Sequence, residues 1–314
     1  MAAVVWLKRD LRRADHGPLA AAAAADQPAL ALFVIEPAWL ASPEFDAQHL
    51  AFALQSLAAL RRELAACGLP LLLRTGPMVE VLQALHRELG ITRLLSHEET
   101  GPGWTWDRDR AVAAWCRTQG LPWQEWPQTG VVRRLKSRSG WAVRWQRRMD
   151  APLVPVPGGW RGAAIDLADL PTLPALGVHT VPRPLPPAGE AAAQAVLQGF
   201  LHERGGDYRR ALSSPLTAEQ GCSRLSAHLA FGTISLRQVH QATEARIAAA
   251  RASADAAERR FAYALRGFAG RLRWHCHFMQ KLEDEPAIEY RNFARVCDDL
   301  RPGDEAGGAP PMSG

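Results

Sequence analysis

Ala3-Val4-Val5-Trp6-Leu7 runs straight into Lys8-Arg9-Asp10-Leu11-Arg12-Arg13-Ala14-Asp15-His16. Five apolar residues rich in Val and Trp read as a buried strand, and the abrupt change to charge reads as the loop that leaves it. Further short apolar runs lie at 29–35, 71–75, 93–97 and 122–126, separated by segments with helical spacing. The clearest is 47–66, where Leu50, Leu54, Leu57, Leu60 and Leu64 recur every three or four residues; 78–89 and 106–118 behave likewise. Gly68, Gly90 and Gly120 follow these segments as helix stops. Strands alternating with helices demand crossover connections, so residues 1–127 are predicted to form a doubly wound parallel sheet, a Rossmann-like α/β domain covered on both faces.

No glycine-rich G-x-G-x-x-G follows the first strand, so the usual dinucleotide cradle is absent there. Asp15 is expected to cap a helix beginning near Pro18. The loop Ser96-His97-Glu98-Glu99-Thr100-Gly101-Pro102-Gly103-Trp104 follows the fourth strand, where doubly wound sheets bind ligands. It reads equally as a pocket wall and as an exposed turn leading into a helix.

Residues 128–188 form a connection that is first basic, then proline-rich. From 131 to 148 there are seven basic residues (Arg133, Arg134, Lys136, Arg138, Arg144, Arg147, Arg148), no acid, and two tryptophans, Trp141 and Trp145. Either a solvated basic face covers packed tryptophans, or the stretch faces phosphates. Between 151 and 187 nine prolines in 37 residues point to a long surface connection. Helical composition resumes at 191–204, 223–230, 235–250 and 256–282, with no strand between, so 189–300 is read as an all-α domain. The Gly/Pro-rich tail, 301–314, is expected to be disordered.

With 47% apolar and 22% charged residues among 314, the chain has a globular composition. No apolar run approaches the ~20 residues of a membrane span. Charge follows rather than precedes the first apolar run, the wrong order for a signal peptide, so a cytoplasmic protein is expected. Five cysteines show no C-x-x-C pairing, which argues against a zinc site or disulfide framework. The net charge of +5 permits an anionic partner without requiring one.

The most specific string is Gly221-Cys222-Ser223-Arg224-Leu225-Ser226-Ala227-His228-Leu229-Ala230-Phe231-Gly232. Small hydroxyl residues, an arginine and free backbone N–H groups at a helix start suit a phosphate or pyrophosphate. The string resembles the flavin-binding signature G-T-S-R-L-S-x-x-L-x-x-G of the photolyase/cryptochrome family, departing at Cys222. Trp6 to Arg12 followed by Asp15 is similar to that family's opening, W-x-R-x-D-L-R-x-x-D. The order of α/β domain, long connection and helical domain agrees too.

This resemblance implies FAD as cofactor, with Cys222, Ser223, Arg224, Leu225 and Ser226 at its phosphates and Tyr208 as the flavin-contacting tyrosine. A second antenna chromophore of unnamed identity is implied as well. Cysteine in the threonine place weakens one hydrogen bond, worth ~1 kcal/mol. Gly270-Arg271-Leu272-Arg273-Trp274-His275 aligns with a family helix carrying E-x-x-W-R. Trp274 then stacks on the DNA lesion, Arg271 replaces the lesion-side glutamate, and His275 takes the arginine place beside the cofactor. Trp274-His275-Cys276-His277 is not read as a metal motif, because His275 and His277 point to different faces of a helix.

The implied activity is blue-light-driven electron transfer from reduced FAD to pyrimidine photoproducts in DNA. A cryptochrome-like photoreceptor without repair is the alternative that Arg271 motivates. Family members continue well past the region matching Leu300, so the helical flavin domain is expected to be incomplete. On that view the chain is a truncated frame, and a fragment in which only the α/β domain folds is a third reading. Unpartnered helix faces in such a domain favour self-association.

Overall fold

The computed structural model describes residues 1–179 and 183–298; the tail 301–314, expected to be disordered, lies outside the described residues. Five strands, β1 (Ala2–Leu7), β2 (Ala29–Ile35), β3 (Leu71–Thr75), β4 (Ile91–His97) and β5 (Trp123–Trp126), form one sheet in the order β3-β2-β1-β4-β5. Every pairing is parallel, with Val5 opposite Ala31 on one side and Leu95 on the other. This is the doubly wound sheet that the alternation predicts. Its period of two divides β1 between two cores. Ala3, Val5 and Leu7 pack with α1 (Gly17–Ala24) and α2 (Ala47–Ala66), whereas Ala2, Val4 and Trp6 pack with α3 (Met78–Leu89) and α4 (Gly103–Thr118).

Local chemistry explains where the boundaries fall. Gly90 ends α3 at φ 67° with its N–H on His86 O, and β4 pairs from the next residue, two earlier than the apolar run suggested. Helix α4 begins at Gly103 rather than 106, behind Pro102, whose carbonyl accepts the Thr105 hydroxyl. Strand β5 starts after Pro122, which lacks an N–H but offers its carbonyl to Leu94.

Asp15 does not cap α1. That role belongs to His16, whose Nδ1 accepts the Leu19 N–H at 3.2 Å. Asp15 has a left-handed backbone (φ 53°) and directs its carboxylate to Ser235 Oγ (2.6 Å) and to the Arg237 guanidinium.

The second core is helical. Helix α6 (Glu190–His202) supplies Leu197 and Phe200, α8 (Leu236–Ala252) supplies Val239 and Ile247, and α9 (Ala256–Asp284) supplies Leu265, Phe268, Leu272 and Cys276. A capping box between Ser235 and Gln238 starts α8, and Asp255 caps α9. The basic segment contributes α5 (Trp141–Met149), whose Trp141, Trp145 and Met149 repeat every four residues and are buried in this same core. Of its cations, Arg133 pairs with Glu125, Arg138 with Asp284, and Arg148 donates to two carbonyls. Arg134, Lys136, Arg144 and Arg147 are exposed with no acid partner among the described residues. Packed tryptophans beneath a basic face is thus the arrangement adopted.

Among its described residues the proline-rich segment lies largely along the α/β domain, with one 3₁₀ turn at Pro174–Leu176. It is pinned where Trp160 is buried and where Ala29 exchanges backbone bonds with Arg161 and Ala163. No helix among the described residues is long and apolar enough to cross a membrane.

Candidate functional site

The string at 221–232 departs from the expected form. The helix anticipated from residue 223 begins only at Ser226, giving a five-residue α7 (Ser226–Ala230). Arg224 is the cause: its φ of 61° is left-handed, which no α-helix accommodates. Leu225 precedes α7, is 1% exposed, and provides no side-chain cap. The carbonyls of Cys222 and Ser223 are taken by the Arg204 guanidinium, at 2.7 and 3.4 Å. The N–H groups of Ser226, Ala227 and His228 lie in the first turn of α7 and have no acceptor among the described residues. Arg224 is exposed without an acid partner there, and Ser226 is also exposed. Three orphan N–H groups, hydroxyls and a free guanidinium form a donor set without acceptors. Such a set suits an anion, and a diphosphate fits it.

Tyr208 begins the short helix Tyr208–Ala211 and is 7% exposed. Its ring meets Phe200 and Phe268 edge to face, with centroids 5.7 and 5.6 Å away. Burial raises the Tyr208 phenol above its ordinary range, the Cys222 thiol adds to this, and Arg271 opposes it. Tyr208, Cys222 and Arg271 therefore share one neighbourhood.

Trp274 and His275, one turn beyond Arg271 on α9, point in different directions. Adjacent residues on a helix lie about 100° apart. Trp274 is 51% exposed and packs against His277 and Phe278, each 5.6 Å away. His275 instead lines a cavity of about 250 Å³ with Glu98, Thr100, Gln128, Thr129 and Leu229. The loop after β4 is consequently a pocket wall rather than an exposed turn, since none of residues 96–104 is exposed and no side chain caps α4. Residues 98–102 wall this interdomain cavity, while Pro102 and Gly103 lead into α4.

At the carboxyl edge of the sheet the Arg108 guanidinium lies 4.8 Å from the Trp6 ring and 5.4 Å from the Trp104 ring. Glu99, Asp109 and Glu36 hold it at 2.6, 2.8 and 3.2 Å. Together with Arg9 and Lys8, Arg108 holds the Glu99 carboxyl down to about 2 despite its burial. The remaining space there is about 40 Å³, room for a few waters. The roomier cavities are one of about 500 Å³ lined by Phe45, Asp46, Gln48, Leu176 and Arg183, one of about 300 Å³ lined by Arg9, His49, Phe52, Ser226 and Phe231, and the 250 Å³ one.

Sequence reasoning passed over a buried trio in the first βα loop. Asp10, His16 and His97 present ligand atoms within 4.8 Å of one another. Asp10 Oδ2 lies 2.7 Å from His97 Nδ1 and 3.1 Å from His16 Nε2, and Oδ1 accepts the Lys8 N–H. Because His16 Nδ1 accepts the Leu19 N–H, its ring proton sits on Nε2. A metal ion would need that nitrogen bare, with the other one donating. The trio is a pin that ties β4 to the start of α1, with Asp10 hydrogen-bonded to His97 and in polar contact with His16. Its signal in the sequence is faint, since the two histidines lie 81 positions apart.

Comparison with known proteins bears on the kinship and the fold of the chain. Residues 3–139 match the DNA photolyase family model. A deoxyribodipyrimidine photo-lyase of Halobacterium salinarum is 31% identical over 312 residues, covering 92% of this chain and 63% of that protein. A cryptochrome DASH of Gloeobacter violaceus is 28% identical, covering 76% of this chain and 52% of its own length. The chain thus spans 63% or less of these relatives. Among solved structures, a class III photolyase from Agrobacterium tumefaciens superposes with a TM-score of 0.78 at 21% identity, covering 98% of this chain and 64% of that one. An archaeal photolyase from Sulfolobus tokodaii, solved with two FAD molecules, gives 0.72 at 18% identity, over 96% of this chain and 64% of that one. At such identities the structures speak to the fold, and the sequence relatives carry the kinship. The chain belongs to the photolyase/cryptochrome family.

Proposed function

We propose that this chain binds FAD and takes part in blue-light repair of pyrimidine photoproducts in DNA. The observation that carries the reading is the donor set at 223–228: orphan N–H groups and a free Arg224 on a segment whose carbonyls Arg204 already occupies. A dinucleotide diphosphate supplies the acceptors that this segment lacks. Tyr208, Cys222, Ser223, Leu225 and Ser226 complete the proposed cofactor wall, with His275 approaching from the interdomain cavity. A second, antenna chromophore is assigned to one of the larger cavities, since the sheet edge holds only about 40 Å³.

When bound, reduced and illuminated, FAD supplies the electron that opens a pyrimidine dimer. The protein's own share is recognition and positioning. Half-exposed Trp274 offers a stacking face for an extruded base or dimer. Arg271 places a cation where the family helix carries a carboxylate, so it meets a lesion through carbonyl or phosphate oxygens rather than by accepting its N–H groups. Trp141 touches His277 (6.0 Å), which touches Trp274, and Arg138 reaches His277 Nδ1 at 3.2 Å, so cations of the basic segment border the same surface. Their attraction for the DNA backbone is screened by salt. We place this activity in the cytoplasm, where thiols stay reduced; all five cysteines are free.

The second reading is a cryptochrome-like photoreceptor without repair activity. Arg271 favours it, because the missing carboxylate removes an acceptor for a thymine dimer. A dimer-containing oligonucleotide exposed to blue light with flavin-loaded protein separates the two. Restoration of the intact strand under light but not in darkness is expected. Undiminished dimer with a fully loaded, reduced sample would leave the photoreceptor reading.

A further inference from the structure

The first βα loop, where a doubly wound sheet ordinarily meets its ligand, is engaged here by the helical domain. Leu11 N–H donates to Phe231 O at 3.0 Å. Arg12 donates from Nη1 to Gly232 O at 3.0 Å, from Nη2 to Asp15 O at 3.0 Å and from Nε to Ala14 O at 3.1 Å. It is 1% exposed, and no carboxylate touches it among the described residues. Gly232 has a φ of 62°, and a Cβ there would collide with Arg9 O, so the two segments are in backbone contact.

Phe231 and Gly232 directly follow α7, a helix too short to hold its own direction and lacking a side-chain cap. Arginines bracket it. Arg204, from the helical domain, holds the carbonyls before it, and Arg12, from the α/β domain, holds the carbonyl after it. We propose that Arg12 is a positioning residue for the anion-binding segment. By fixing Gly232 it sets the aim of the free N–H groups of Ser226, Ala227 and His228. Cofactor affinity in the helical domain then depends on a side chain of the α/β domain. This proposal rests on the FAD reading above.

Asp15 provides an internal control. Its carboxylate ties the same loop to Ser235, Arg237 and the Val154 N–H and makes no bond to Gly232. Arg12→Lys and Asp15→Asn therefore loosen one interface in two ways, and only the first removes a bond to Gly232. Hydrogen exchange of residues 222–232 is measured on the full chain without flavin, alongside FAD titration and thermal melting. Arg12→Lys is expected to speed exchange in that segment and to raise the FAD Kd about tenfold, the scale of one charge-assisted hydrogen bond. Asp15→Asn is expected to lower Tm while leaving both within about twofold.

Unchanged exchange in Arg12→Lys overturns the proposal. So does an Asp15→Asn variant whose FAD affinity falls as far as that of Arg12→Lys for the same loss of Tm. If wild-type protein takes up no FAD, the cofactor reading falls by itself, and the exchange result still decides the role of Arg12. Gln128→Ala is the milder variant should Arg12→Lys not fold, since Gln128 Oε1 accepts from Arg12 Nη1 at 3.4 Å. It is expected to speed the same exchange to a smaller degree.

Discussion

Asp15 and His16 illustrate how residue type and residue role part company. Asp15 stands just before a helix and has a capping side chain, so position alone assigns it the cap. The fold instead puts it at φ 53° facing Arg237, some 222 positions away, and leaves the cap to histidine. Nothing in local propensity reports a partner that distant. The same holds for the Asp10–His16–His97 pin, which has a consequence in acid. Burial and the neighbouring His16 push the His97 ring down to about 3, against the pull of Asp10, while Asp10 itself lies well below the usual carboxylate range. Folded His97 thus stays neutral where the unfolded chain takes up a proton near pH ~6.5. Its contribution to stability is present above that pH and declines as pH falls toward 3, at up to ~1.4 kcal/mol per pH unit. Thermal melts from pH 7 to pH 4.5 are expected to show Tm falling less steeply in His97→Asn than in wild type. Equal slopes would mean that His97 does not carry this term.

At the scale of elements, legibility followed burial. Strands β1 and β2 are covered on both faces, so they appear as continuous apolar runs, and the 29–35 run coincides with Ala29–Ile35. Helix α9 was readable from its Ala-, Leu-, Arg- and Glu-rich composition, starts at the expected Ala256 behind an Asp255 cap, and ends two residues beyond expectation at Asp284. Helix α7 was misread because its start depends on a left-handed arginine, a conformation that composition does not announce. On α9, Leu272 and Cys276 face the core while Trp274 faces solvent, a division that the 3.6-residue period makes visible. Trp274→Ala is therefore expected to leave Tm nearly unchanged. It should weaken binding of lesion-containing DNA by ~1–3 kcal/mol, the value of one lost stacking face. Binding within twofold of wild type on a fluorescent dimer-containing oligonucleotide would remove Trp274 from the recognition surface.

For the whole molecule, the alternation of strands and helices, the proline-rich passage and the return to helix were all visible in sequence, because each rests on local periodicity or composition. What joins them was not visible. Arg12, Asp15 and Glu190 tie the two cores through bonds spanning 176 to 222 positions. The basic segment expected as part of a connection also lends Trp141, Trp145 and Met149 to the helical core. Every functional claim depends on whether that joined framework holds a flavin. The direct test is FAD binding by the full chain, read from the flavin absorption band and from titration, with Arg224→Ala beside it. The expected result is about one FAD per chain, with affinity lowered about tenfold in Arg224→Ala by loss of one charge-assisted contact. A folded chain that takes up no FAD at micromolar concentrations would contradict the account.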